Sequence, residues 1–191
     1  MLLRRWLSAL AVTLLLAGCA LSREQSKTAR TATEQLLLSQ AVEHSLDHVS
    51  VPLPHGAPVF VKAVGLAADQ AIVRDMVADQ LGAQGMRVRE KEEEATYLVR
   101  VIVQALGTEQ LRTFFGMPPI QSVVIPFSLP ELALYKVEQQ VAVSRFYLEV
   151  FERTTGRYII STRWYEGAAH YKQYTMLFLI GFHSTDLTPP L

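Results

Sequence analysis

Apolar residues recur at helical spacing in two segments of the first half of the chain, and at strand spacing through most of the rest. Thr31-Ala32-Thr33-Glu34 has the form of a capping box, in which Thr31 caps a helix and Glu34 reaches back to it. Leu36, Leu37, Ala41, Val42 and Leu46 then make one apolar stripe ending near Val49, and Pro52, Pro54, Gly56 and Pro58 open a loop. The β-branched run Val59-Phe60-Val61-Lys62-Ala63-Val64 predicts a short buried strand. Asp69 is placed to cap a second helix with the stripe Ile72, Val73, Met76, Val77 and Leu81, ending at residues 82–85, where Gly82 and Gly85 lie.

Period-two patterns dominate beyond this point. Residues 87–89 predict a short strand, Lys91-Glu92-Glu93-Glu94 a solvated turn, and residues 95–106 a long strand with Tyr97, Val99, Val101 and Val103 on one buried face. Ile72, Met76 and Leu81 are expected to pack over that face. Residues 141–152 and 157–167 flank Arg153-Thr154-Thr155-Gly156, a hairpin signal, and residues 174–182 read as a last strand. The order of elements predicts an α+β fold, a mainly antiparallel sheet with two helices packed on one face.

One segment departs from both periods. Residues 113–130 carry no charge, and Phe114, Phe115, Met117, Ile120 and Phe127 accumulate among Pro118, Pro119, Pro126 and Pro130. The spacing predicts a long apolar loop, either folded over the domain's own core or exposed as a partner- or membrane-contacting surface. In the second case these five side chains are the candidate contact residues. No pair of alternating hairpins of the membrane-barrel kind is legible.

The amino terminus changes the setting. Residues 1–5 carry Arg4 and Arg5, residues 6–15 form a short uncharged apolar run, and Leu16-Ala17-Gly18-Cys19 has the form of a bacterial lipobox. Small residues at 17 and 18 fit a peptidase cleft, and the Cys19 thiol takes diacylglycerol. The apolar run is too short to cross ~30 Å of hydrocarbon comfortably. The chain therefore divides into a cleaved lipoprotein signal peptide (1–18), a lipidated polar tether (19–30) and one periplasmic α+β domain (31–191). Two or three acyl chains, at about 0.8 kcal/mol per buried methylene, anchor such a protein stably in membrane lipid. Ala20 after the cysteine, in place of the Asp that marks inner-membrane retention in enterobacteria-like systems, points to the outer membrane.

Composition narrows the function further. Cleavage removes two arginines and no acid, leaving 16 basic against 18 acidic residues, a formal charge of −2. Interspersed, near-neutral charge argues against nucleic acid as a partner. Cys19 is the sole cysteine, so neither an intramolecular disulfide nor a cysteine zinc site can form. His44 and His48 stand four apart on a predicted helix, but Ser45 occupies the place of the glutamate that an HExxH metalloprotease needs. His55, His170 and His183 make no constellation with them. There is no nucleophile elbow, phosphate loop or dinucleotide fingerprint. Glu92-Glu93-Glu94 reads as a solubilising turn, and Trp164, Tyr165, Tyr171 and Tyr174 as cross-strand packing more than a sugar-stacking groove. No cofactor or metal is called for, and the reading is non-enzymatic.

Two stretches, Thr28-Ala29-Arg30-Thr31-Ala32-Thr33-Glu34-Gln35-Leu36-Leu37-Leu38-Ser39 and Pro130-Glu131-Leu132-Ala133-Leu134-Tyr135-Lys136, with Glu94-Ala95-Thr96-Tyr97 between them, resemble a family of bacterial outer-membrane lipoproteins without an established activity. The resemblance implies no catalytic residues. More distantly, the strand-helix-strand-strand core is similar to curli-secretion-type and penicillin-binding-protein-activator lipoproteins. The expectation is a structural or adaptor lipoprotein that binds an envelope protein or itself; the alternative is a subunit of an outer-membrane export or transport assembly.

Overall fold

The chain is seen in a computed structural model in which residues 30–121 and 128–188 are described. Contacts divide it into Met1–Thr31 and Ala32–Leu191, and every element lies in the second unit. In order these are α1 (Ala32–Leu46), β1 (Pro58–Gly65), α2 (Gln70–Ala83), β2 (Arg87–Val88), a 3₁₀ turn (Glu92–Glu94), β3 (Tyr97–Met117), β4 (Ile120–Gln121), β5 (Ser128–Leu129), β6 (Leu132–Glu152), β7 (Tyr158–Ser161), β8 (Tyr165–Met176) and β9 (Ile180–Thr185). The fold is α+β: a curled, mostly antiparallel mixed sheet carrying two helices. Strand order is β2-β1-β3-β6-β8-β9, with β7 also on β6, and only the pairs of β1 with β2 and β3 are parallel.

The core follows from the alternation. Val99, Val101 and Val103 of β3 are buried with Val59 and Val61 of β1 and with Phe146, Leu148 and Val150 of β6, while Tyr97 packs part-buried at the margin. Val73, Val77 and Leu81 of α2 cover them at i, i+4 and i+8 spacing, and Ile72 and Met76 flank that line. The helix ends in a Schellman motif: Met86 N–H bonds the Leu81 carbonyl, Gly85 N–H bonds the Gly82 carbonyl, and Gly85 takes φ +88°. Asp69 holds the N-cap position of α2 without a side-chain capping bond.

α1 covers the next stretch of the same sheet face. Leu37, Leu38 and Ala41 pack on Ala142 of β6 and Ala169 of β8. The docked line includes Leu38 and buried Ser45, where the apolar stripe named Leu36, which is exposed. A buried serine is invisible to a hydrophobicity pattern; here Ser45 Oγ donates to the Val42 carbonyl and lies 3.3 Å from Ser144 Oγ. Gly167 permits the close approach, since a Cβ there would run into the Ala41 carbonyl and the Ser45 amide. His44 Nδ1 donates to the Ala168 carbonyl at 2.7 Å, so this histidine pins the helix to β8.

Four strand predictions are corrected. β3 and β6 are each 21 residues long, running well past residue 106 and starting well before residue 141. The predicted strand 157–167 is two strands end to end on β6, because Leu148 N–H bonds the Thr162 hydroxyl in place of a ladder carbonyl. The predicted strand 174–182 is the hairpin of β8 and β9, with its turn at residues 177–179.

Candidate functional site

β1 stops pairing with β3 at Val103, and the contacts of α1 end near Thr108, whose hydroxyl donates to Glu34 at 3.0 Å. Beyond that level β3, β6, β8 and β9 continue as a four-stranded antiparallel sheet made of two hairpins, which the sequence did not make legible. A bulge at Gln104 sets its faces: Val103 stands opposite Phe146, but Ala105 stands opposite Arg145. One inserted residue reverses the side-chain alternation, so even-numbered residues of β3 now share the helix side.

Residues directly opposite in antiparallel strands lie on the same face. On the helix side the cross-strand rows are Phe114, Lys136, Thr175 and Gly181, then Arg112, Glu138, Gln173 and His183. Arg112 pairs with Glu131 and stands 3.7 Å from Glu138, while Lys136 Nζ is 3.2 Å from Glu131 and 2.9 Å from Glu138. Partial desolvation raises the Glu131 carboxyl, but hydrogen bonds from Lys136 and Arg112 and their charges outweigh it and hold the group below its ordinary value. This face is polar and internally neutralised.

The other face has the opposite character. Its two distal rows are Phe115, Tyr135, Met176 and Ile180, then Thr113, Val137, Tyr174 and Phe182. No charge occurs in either row. Phe115 is 68% exposed, and Tyr135, Met176, Ile180 and Phe182 are also exposed. Tyr174 stacks on Phe182 with ring centroids 4.7 Å apart. Among the described residues nothing covers this face, and neither the β9 edge nor the β3 edge beyond Val103 has a strand neighbour.

The β8–β9 turn closes the distal end. Leu177 (φ 48°) and Phe178 (φ 53°) both adopt left-handed backbone, the pattern of a type I′ turn, for which Asn and Gly are the usual residues. A bulky side chain in that region costs roughly 1–2 kcal/mol. The turn's N–H groups are all bonded: Leu177 to the Leu134 carbonyl at 2.9 Å, Phe178 to the Ala133 carbonyl at 2.8 Å, and Leu179 to the Met176 carbonyl at 3.3 Å.

The candidate contact residues separate accordingly. Phe115 lies on the uncharged face. Phe114 lies on the polar face, half-buried, with the Arg112 guanidinium 5.6 Å from its ring centre. Met117 is half-buried at the end of β3, opposite Leu132. The segment predicted as a loop instead continues β3 through Met117 and then forms the β4–β5 ladder, in which Ile120 pairs with Leu129. The side chain of Ile120, and Phe127 altogether, lie outside the described residues, as do Leu16, Ala17, Gly18 and Cys19. Sequence reading missed Leu111 and Leu134. The export alternative placed lipid or subunit contact on residues 113–130 or on the last strand, 174–182, without singling out Met176, Leu177, Phe178, Leu179, Ile180 or Phe182. The signal was present: residues 173–182 contain no charge and five consecutive large apolar side chains.

The remaining candidates are structural. His170 bonds Asp186 through its backbone N–H (2.7 Å) and its ring (3.1 Å), tying the C-terminal segment to β8. Tyr165 is buried against Phe146, Trp164 packs edge-on to Tyr147 under the Arg145 guanidinium, and Tyr171 stacks on His183, so the four aromatics share no groove. Among the described residues no three His, Cys, Asp or Glu side chains gather as metal ligands, and no helix is long and apolar enough to cross a membrane.

No protein-family model matches the chain, and no curated protein matches it. Among solved structures it is similar to the LpoB C-terminal domain from Escherichia coli, at 9% identity and a TM-score of 0.36, over 69% of this chain and 96% of that one. It is also similar to a protein described as a neuraminyllactose-binding hemagglutinin homolog from Helicobacter pylori, at 12% identity and a TM-score of 0.30, over 60% of this chain and 67% of that one. Likeness at this level assigns neither a partner nor an activity.

Proposed function

We propose that the protein is a lipoprotein of the bacterial envelope, held by acylated Cys19 on the periplasmic side of the outer membrane, that works through protein contact and not through catalysis. Its contact surface is the uncharged face of the distal sheet. The observation that carries this reading is the contrast between the two faces: the helix-side face is polar and internally neutralised, while the other is apolar and exposed. Soluble monomers seldom present a contiguous apolar patch on this scale without a partner for it. Phe115 and Phe182 are the anchors, since large aromatic side chains dominate interface energetics. The lipobox and the residue after it supply the location.

The second reading, a subunit of an outer-membrane export or transport assembly, is favoured by one feature. The distal sheet has two hairpins, opposite faces of opposite polarity and two open edges, as a segment of a larger closed barrel would.

The particle mass in mild detergent tests both readings. The lipidated chain should run larger than a monomer, and replacing Phe115 and Phe182 together by Ser should return it to monomer mass. Losing an aromatic anchor costs about 2 kcal/mol or more, roughly 30-fold in affinity. The melting temperature should stay nearly unchanged, because both rings are exposed. A ring of many subunits would favour the export assembly. A double variant that keeps the mass of a self-associated wild type, or a wild-type monomer that recovers no envelope protein from native membranes, would defeat the contact reading.

A further inference from the structure

We propose that the β8–β9 turn is itself a membrane-inserting tip, with Leu177, Phe178 and Leu179 entering the lipid bilayer at headgroup depth. The side chains have the required chemistry. Met176, Leu177, Phe178, Leu179 and Ile180 are consecutive and all exposed, Leu179 to 82%, and no charge occurs from residue 173 to residue 182. Exposed Leu134 lies beside them, because the Leu177 and Phe178 amides bond the carbonyls of Leu134 and Ala133.

The backbone donors meet the more demanding requirement, and a tip at headgroup depth leaves its carbonyls within reach of hydrated headgroups. Lipid offers no hydrogen-bond partners, so a segment that enters it must satisfy its polar groups internally. The N–H groups of Leu177, Phe178 and Leu179 are each bonded within the sheet. A water-facing turn with two left-handed residues would ordinarily use Asn and Gly; this one holds Leu and Phe there (φ 48° and 53°). Lys136, opposite Thr175 in the register, stands about three residues behind the tip, or ~10 Å at strand rise. That is the depth to which an interfacial apolar element buries itself, and the Lys136–Glu131–Glu138 cluster marks where the polar, water-facing part of the sheet begins.

The choice of a bilayer as occupant rests on the envelope reading. A tether of twelve residues (19–30) spans at most about 40 Å. α1 meets β3 at Thr108, about 30 Å of strand from Met117 at the distal end. Acyl chains and tip can therefore occupy one leaflet.

Because the sole cysteine is the one that is lipidated, a Phe178→Cys variant of the mature lipoprotein can carry one environment-sensitive fluorophore in vesicles of phosphatidylethanolamine and phosphatidylglycerol. The expected result is a blue-shifted emission, quenched by spin-labelled lipid and insensitive to aqueous iodide. A label at residue 93, in the exposed 3₁₀ turn, should be quenched by iodide alone. A wet label at 178 on vesicle-bound protein overturns the tip while leaving the anchor standing. A label shielded from both quenchers also overturns it and assigns the turn to a second copy or another protein. Protein that does not float with the vesicles overturns the anchor and the tip together. A second test uses Leu177→Asn with Phe178→Gly, which supplies the residues the turn conformation favours. Its melting temperature should hold or rise while a label at 179 returns to water; continued quenching of that label by lipid would sink the proposal.

Discussion

Val101→Asp is expected to destabilise the domain by about 3–5 kcal/mol, a large part of the ~5–15 kcal/mol that holds a typical domain folded. Val101 is fully buried, between Ala63 of β1 and Leu148 of β6 in the register, under the Val73–Val77–Leu81 line of α2. A carboxylate there has no cation in the surrounding core, so it must be buried unpaired, be protonated or open the sheet. Ile102→Asp, one residue along and on the other face opposite Tyr147, should cost much less, because strand side chains alternate. Urea unfolding of the two variants measures the difference. An unchanged midpoint for Val101→Asp, or equal losses for both, would overturn the register of the central sheet.

The second large effect is on location. Cys19→Ser should leave a full-length, unacylated precursor, because a serine hydroxyl does not form the thioether on which diacylglycerol transfer and cleavage depend. In the proposed lipoprotein, two or three acyl chains, at about 0.8 kcal/mol per buried methylene, would make attachment stable. Losing all of them should remove the protein from outer-membrane fractions entirely. Intact mass after fractionation reads both results. A variant cleaved after residue 18 and still found with the outer membrane would refute lipid anchoring at Cys19.

How far the sequence carried these conclusions depends on the element. The covered part of the sheet was legible because Val99, Val101 and Val103 alternate without interruption and α2 repeats its apolar positions every turn. The distal part was not, and the bulge at Gln104 is one physical reason: it reverses which residues share a face, so Leu111 and Phe115 point away from the side that Val101 faces. The β8–β9 turn was read as strand because Leu177 and Phe178 adopt left-handed backbone without being Gly or Asn. The prolines of residues 113–130 drew attention to the right end of the fold. The uncharged face is nevertheless assembled across four strands, and Phe115 and Phe182, 67 positions apart in the sequence, meet it only through the register. His44 and His170 tie the helix and the C-terminal segment to β8, and Tyr165 packs on Phe146.

Photo-crosslinking in living cells addresses contact through the uncharged face most directly. A crosslinking residue in place of Phe182 lies on that face, and one in place of Gln173, four residues before the same turn, lies on the polar face. Position 182 should give a discrete protein adduct, at twice the chain's mass if the partner is a second copy, and position 173 should give little or none. An uncrosslinked chain at 182, or equal yields at both positions, would contradict the assignment of this face as the working surface.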